Sequence, residues 1–476
     1  MTDQAEESTD SGERKLYPWV IAGVIVLLMV AFLTYRVALI VLLNNEKEAL
    51  RKKGYAVTIE ELAQSYAPVP SEENAALVYQ KAFKTYKRPS KDAEDILPFV
   101  GNAEAPPVDA PLSGEALAAA REHLADNEYT LELLHEAAGM ERCRYPVDFT
   151  QGAAMAMPHI HELRKATQLL ALQALVQAVD GHSTGAVRST VDIMRAAESL
   201  KNEPTLISQL GRIAVEDYAL ESFRRTASLT RMSDDDLRRL AEALKRAENG
   251  VDRSMKRSFL SNLTIVMTLD AENLLLYGGP SFRSTTPGRL VGPSRISSVI
   301  LGFYRLSGLD DMDRLAVVGY YDKVAGIFQT PPWKQLGAAR KVEDKLSYSS
   351  SSRIGSWFHV IRTAALPALF RGVLAHIQSS AKLRTARTAT AVQRFRLDHG
   401  RLPGSLSELI PRYLDKVPKD PFLGKPLRYA TTPAGYVTYS VGEDRVDDGG
   451  IRKKHTARRD VSFSVNLPGE EGSAEQ

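Results

Sequence analysis

Nineteen consecutive residues without a charge, Tyr17 to Tyr35 (YPWVIAGVIVLLMVAFLTY), constrain this chain more than any other feature. At 1.5 Å per residue, a helix of that length covers about 28 Å, close to the hydrocarbon thickness of a bilayer. Tyr17 and Trp19 at one end and Tyr35 at the other suit the two headgroup zones. A helix in a globular core is apolar along one stripe, whereas this one is apolar all round. The expectation is a single membrane-spanning helix in contact with the lipid bilayer. A cleaved signal peptide fits less well, because no small-x-small site lies after the apolar run. Instead Arg36 interrupts it, VALIVLL continues, and Glu46, Lys47, Glu48, Arg51, Lys52 and Lys53 come next, so the helix is predicted to run on as a stalk.

Charge on the two flanks pulls in opposite directions. Arg14 and Lys15 directly precede the span, as in a signal-anchor that keeps a short N-terminus in the cytoplasm. Arg36, Lys47, Arg51, Lys52 and Lys53 lie beyond it and count toward the reverse topology. Long domains translocate largely regardless of such charge, so the expected protein is single-pass in the cell membrane with its large region extracytoplasmic.

The chain as a whole has the make-up of a globular body: 44% of it is hydrophobic and 25% charged. A net charge of +3 argues against a dedicated nucleic-acid binder. Cys143 is the only cysteine, which excludes an intramolecular disulfide and a Cys-based zinc site.

The fold class expected is mainly α, with a transmembrane helix, a helical hairpin or bundle region and a small α+β C-terminal module. Residues 1–15 read as a disordered tail, 16–43 as anchor and stalk, and 44–350 as the helical domain. Residues 366–465 read as the module and 466–476 as a second disordered tail. Ser71 is placed to cap a helix with Glu72 and Glu73 in its first turn, and 86–113 read as a long loop. In 155–248 the helical period is continuous. Leu163, Ala166, Leu170 and Ala174 form one stripe and Leu169, Leu172, Val176 and Val179 another, ended by Asp180-Gly181. Pro204 is expected to open a later helix. Residues 278–296, with Arg283, Arg289 and Arg295, read as a second loop, and the Ser-rich 347–352 as a hinge.

Pro367 is expected to open a long helix that ends at His399, where Gly400 stops it. Its apolar face runs Phe370, Val373, Leu374, Ile377, Ala381, Thr388, Ala391, Val392 and Phe395. Ser405 with Glu408 forms a potential capping box. Leu427–Thr431 and Tyr436–Val441 flank a Pro-Ala-Gly turn as a hairpin, and Asp460–Val465 offers a third strand.

Within 370–465 several spaced elements occur in order: an Ala-rich helix ending in His-Gly, then Leu-Pro, Ser-Leu-Ser-Glu-Leu, Pro-Lys-Asp-Pro-Phe, Tyr-Ser-Val-Gly and an Asp-rich loop. This segment resembles the C-terminal half of the major pseudopilin of type II secretion. The resemblance implies a helix packed on a small antiparallel sheet outside the cytoplasmic membrane, with calcium held in the Asp-rich loop. Pseudopilins begin with a cleaved leader that runs straight into the long helix, whereas here the apolar span lies far upstream of it. The whole chain looks like a group of bacterial single-pass membrane proteins that pair YAPVPSEENAA-like and DPFLGKPLRY-like segments, a likeness that supplies architecture only.

The residues themselves allow two readings of that loop. Asp444, Asp447 and Asp448, with Gly449 and Gly450 permitting a tight wrap, are hard oxygen ligands suited to calcium, though they supply only part of its shell. The same residues also suit a solvated acidic turn. His159 and His161 in PHIHE are two apart, which puts them on different helix faces, unlike the four-residue spacing of zinc-binding histidines. The basic run Arg452, Lys453, Lys454, Arg458 and Arg459 reads as solvated. No Gly-x-Ser-x-Gly, P-loop or Gly-x-Gly-x-x-Gly signature occurs. The function expected is therefore a membrane-anchored, non-enzymatic envelope scaffold that binds another envelope protein. The alternative is a membrane-tethered hydrolase, since a paired-carboxylate site leaves no linear signature.

Overall fold

The structure, a computed structural model, describes residues 18–268, 302–349, 369–450 and 460–467. The predicted tail 1–15, the 278–296 loop with its arginines, Pro367 and the basic run 452–459 lie outside the described residues. Helix α1 (Pro18–Lys52) joins the predicted span and stalk into one helix of 35 residues. Among the described residues it is the one helix long and apolar enough to cross a membrane, and its apolar window is entirely unburied. Burial begins only at Leu43 and Leu50.

Local chemistry then sets each start. Thr58 caps α2 (Ile59–Ser65) by accepting from the Glu61 amide. Ser71 does not cap the next helix. Residues 71–73 make a short 3₁₀ turn, and Asn74 caps α3 (Ala75–Thr85). Asn74 is held for that task because its amide also bonds both backbone groups of Arg144, at 2.8 and 3.0 Å. The expected 86–113 loop contains α4 (Lys91–Ile96), capped by Ser90. Two further helices come next, α5 (Gly114–Asp126) and α6 (Glu128–Gly139).

The continuous helical period resolves into α7 (Pro158–Val179), α8 (Ser183–Glu198), α9 (Leu206–Leu229), α10 (Asp234–Glu248) and α11 (Val251–Thr268). Both stripes of α7 are buried except at Val179, because α7 lies against α8, α9 and α5. Pro204 precedes α9, and Thr205 rather than the proline is its cap. Then the chain forms α12 (Leu309–Val318), α13 (Tyr321–Ile327) and α14 (Pro332–Ser349). Helix α14 runs into the Ser-rich stretch read as a hinge.

The long helix α15 (Leu369–His399) ends at Gly400, whose φ of +70° suits a glycine stop. It is covered on more than its predicted apolar face: Leu383, Ala386 and Ala389 are fully buried as well. The sheet explains this. Strands β1 (Arg428–Thr432), β2 (Gly435–Ser440) and β3 (Val461–Asn466) pair antiparallel in that order, matching the expected hairpin and third strand. Tyr436 Oη donates to the Ala389 carbonyl at 3.0 Å and Thr438 Oγ1 to that of Thr385 at 2.9 Å, which pins β2 to one side of α15. Helices α9, α10 and α14 take the other sides. The Ser405–Glu408 capping box does not form. Ser405 makes no side-chain cap, and Glu408 turns to the Gly404 amide and to Arg401.

One hydrophobic cluster runs from Leu163 and Leu170 of α7 through Phe223 to Ala386, Val392, Tyr436 and Phe463. A second joins Leu43 and Leu50 of α1 to Phe259, Tyr321, Val373 and Ile377. Helix α15 belongs to both, so the C-terminal module and the helical region share their cores.

Candidate functional site

Strand β3 closes a cleft of about 430 Å³ against α9 and α15, and the Asp-rich loop contributes Glu443 to its lining. Asp217, Glu221 and Arg224 line it from α9, where spacings of four and three put them on one face. Lys382 enters from α15, Glu443 from the start of the Asp-rich loop, and Asp460 from the position directly before β3. Phe463 packs on Phe223 with ring centres 4.8 Å apart and planes tilted by 34°, which fixes β3 against α9.

Two of the four cleft carboxylates are already paired with cations. Lys382 Nζ lies 2.6 Å from Asp217. Glu221 takes Arg225 at 2.9 Å and also pairs with Arg224. Asp460 is different. Its Oδ2 accepts the amides of Asp448 at 3.1 Å and Gly450 at 2.7 Å, while among the described residues the buried Oδ1 has no hydrogen-bond partner. Burial pushes the Asp460 carboxyl up, the two amides oppose that, and the charges of Asp447 and Asp448 add to the rise.

The sequence-derived candidates lie beside it. Asp444 accepts from the Val446 amide at 3.1 Å, a local turn. Asp447 pairs with Arg428 of β1 and accepts from the Gly449 amide at 3.0 Å. Asp448 contributes its backbone amide to Asp460. Among the described residues no three His, Cys, Asp or Glu side chains are grouped closely enough to hold a metal ion. Asp444, Asp447 and Asp448 are thus neighbours in one loop with separate local partners. The functional residue that the sequence pattern did not single out is Asp460. It reads only as the start of a strand, and the signal was an acid at that strand's opening position.

Two buried polar groups lie deeper. His159 is buried, with Nε2 3.0 Å from Glu203 and its ring stacked on Tyr145 at 4.4 Å; His161 is exposed. Tyr145 shares a hydrogen bond of 3.1 Å with Ser199, and Ser208 donates to Glu203. Burial pushes the neighbouring Cys143 thiol up to about 12, far from the thiolate that nucleophilic chemistry needs. Behind the cleft, fully buried Arg212 lies 3.5 Å from Glu216, which also accepts from Ser379 of α15 at 2.8 Å. Burial raises the Glu216 carboxyl and Arg212 opposes the rise.

Such an arrangement can recognise charge and lock elements together. A hydrolytic carboxylate pair needs one acid and one free base. Here Asp217 and Glu221 are both paired with cations, whereas among the described residues Glu443 and Asp460 hold no ion pair and are the two cleft acids left for such a role. Comparison with protein-family models, curated proteins and solved structures yields no match, so the functional reading rests on these residues.

Proposed function

We propose that the protein is a membrane-anchored, non-enzymatic envelope scaffold. Its N-terminal helix spans the membrane once, and its body sits outside the cytoplasm and binds an envelope protein partner. The observation that carries the reading is the division within α1. From Pro18 to Thr34 the helix is exposed on every side, whereas Leu43 and Leu50 are buried in the same core as α15. A free apolar rod continuous with a rigid body suits a fixed platform at a membrane surface. The ion-paired state of Asp217 and Glu221 supports recognition over hydrolysis. The resemblance of 370–465 to the pseudopilin C-terminal half agrees with an extracytoplasmic body, with calcium as its proposed loop ion.

The test is fractionation followed by crosslinking. The chain should stay with membranes through carbonate and high-salt washes, and protease added to spheroplasts should digest the body. Crosslinking from the intact membrane should then capture a protein partner. Full-length chain in the soluble fraction, or a body protected from protease, counts against the reading. A hydrolytic activity abolished by Glu443→Gln or Asp460→Asn would favour the tethered-hydrolase alternative.

A further inference from the structure

We infer that residues 302–318 form an apolar collar seated in the membrane at the base of the anchor, at the boundary between headgroups and acyl chains. The inference rests on the proposal that α1 spans a bilayer, and deepens it. A helical turn over 302–307 leads into α12. Its Phe303 and Leu306 are 61% and 74% exposed, and Met312 of α12 is 47% exposed. Large apolar side chains at that exposure, grouped in ten residues, need a cover.

Their position says what the cover is. Tyr35 Oη touches Met312 Sδ at 3.0 Å, and Arg36 Nη1 lies 2.9 Å from Asp311. Gly308 sits so close to Arg36 and Leu39 that a Cβ there would overlap the arginine. The collar is thereby fixed beside residues 35–39 of α1. The exposed apolar surface of α1 does not stop at Tyr35 but continues through Val37, Ile40, Val41 and Leu42. From Pro18 to Leu42 is about 36 Å of helix, against about 30 Å of hydrocarbon. The overhang of roughly one turn falls beside the collar, so both apolar surfaces face the same layer. The charge inside that layer is compensated, because Arg36 brings its own carboxylates, Asp310 and Asp311.

The experiment reads depth in full-length protein reconstituted into phosphatidylcholine–phosphatidylglycerol liposomes. Single cysteines at Leu306→Cys, Phe303→Cys, Val30→Cys and Glu242→Cys carry a nitroxide label. Wild type, with Cys143 alone, sets the labelling background. Oxygen and a water-soluble nickel complex compete to relax the label. Position 30 should be accessible to oxygen only, position 242 chiefly to nickel, and positions 303 and 306 to oxygen over nickel at a shallower depth than position 30. Nickel-dominated relaxation at 303 and 306, with position 30 still deep, overturns the collar and leaves the anchor standing. Nickel-dominated relaxation at position 30 overturns the anchor and the collar with it. Leu306→Cys replaces an exposed side chain, so its melting temperature should match that of wild type, and this confirms that the label reports on the folded protein.

Discussion

Arg36 Nη1 lies 2.9 Å from Asp311 Oδ2, an ion pair only about one-fifth exposed that clasps α1 to α12. The neighbouring Asp310 carboxyl is raised, first by burial and then by the Asp311 charge, so the clasp holds two carboxylates against one guanidinium. Arg36→Ala therefore leaves two acids facing each other and should cost about 1–2 kcal/mol in the docking of α12. In detergent micelles, amide exchange in 309–318 should accelerate by about tenfold while α7 and α8 are unaffected. Gly308→Ala should act the same way, since Gly308 has a φ of +83° and no room for a Cβ. Unchanged exchange in both variants would mean that α1 and the body are held together elsewhere.

The His159–Glu203 pair should behave as core. Both side chains are at least 95% buried, and Ser208 and Tyr145 complete their surroundings. Glu203→Ala leaves His159 and Ser208 without their acceptor and opens a cavity, for a loss of about 3–5 kcal/mol. Thermal melting measures it. A loss below about 1 kcal/mol would show that water or a rearranged neighbour takes over the role of Glu203.

Glu216 makes stability depend on pH. Its carboxyl is raised above the ordinary 4.5 by burial, with Arg212 and the Ser379 hydroxyl opposing and Asp217 adding to the rise. The native state therefore holds this proton more tightly than the unfolded chain does. The contribution is fully present below pH 4.5 and is lost as pH rises through the folded value. Glu216→Gln keeps an acceptor for Ser379 and removes the titration. Relative to wild type, the variant should gain stability as pH is raised from about 4.5 to about 7, measured as the difference in urea midpoints. A constant difference across that range would show that Glu216 ionises alike in both states.

Such buried acids were out of reach of sequence reasoning, whereas the long helices were not, although α4 was read as part of a loop. The two stripes of α7 and the glycine stop after His399 are local patterns, written in spacing and backbone freedom. Ser71 failed as a cap because the choice between it and Asn74 depends on Arg144, 70 residues away from Asn74. The Ser405–Glu408 box failed because the Ser405 hydroxyl bonds to that of Ser407 and makes no cap, while Glu408 also takes Gly404 and Arg401. The cleft was invisible for a related reason. Asp217, Lys382 and Asp460 come from three separate segments, and only the burial of α15 between α9 and the sheet brings them together. The Asp-rich loop was legible as a cluster, but the Arg428–Asp447 pair and the buried oxygen of Asp460 were not.

Those last two features shape the calcium test. An isolated 367–476 fragment is a poor vehicle, since α15 shares its core with α9 and α10, so the full-length chain in detergent is the sample. A cation at the loop would neutralise Asp447 and Asp448 and meet Asp460 Oδ1, which has no hydrogen-bond partner among the described residues. Binding to the native state alone stabilises by about 2.7 kcal/mol when calcium is a hundredfold above Kd, which raises the melting point by a few degrees in a chain of this size. Magnesium should substitute poorly, because it demands a smaller octahedral shell. Asp448→Asn should abolish the calcium-dependent rise without changing the melt in chelator, since among the described residues its carboxylate holds no ion pair. Arg428→Gln should lower the calcium concentration needed, because it releases Asp447 from its present partner. Identical melts in millimolar calcium and in chelator would leave Asp444, Asp447 and Asp448 as a solvated turn whose acids serve only the local hydrogen bonds and the Arg428 pair.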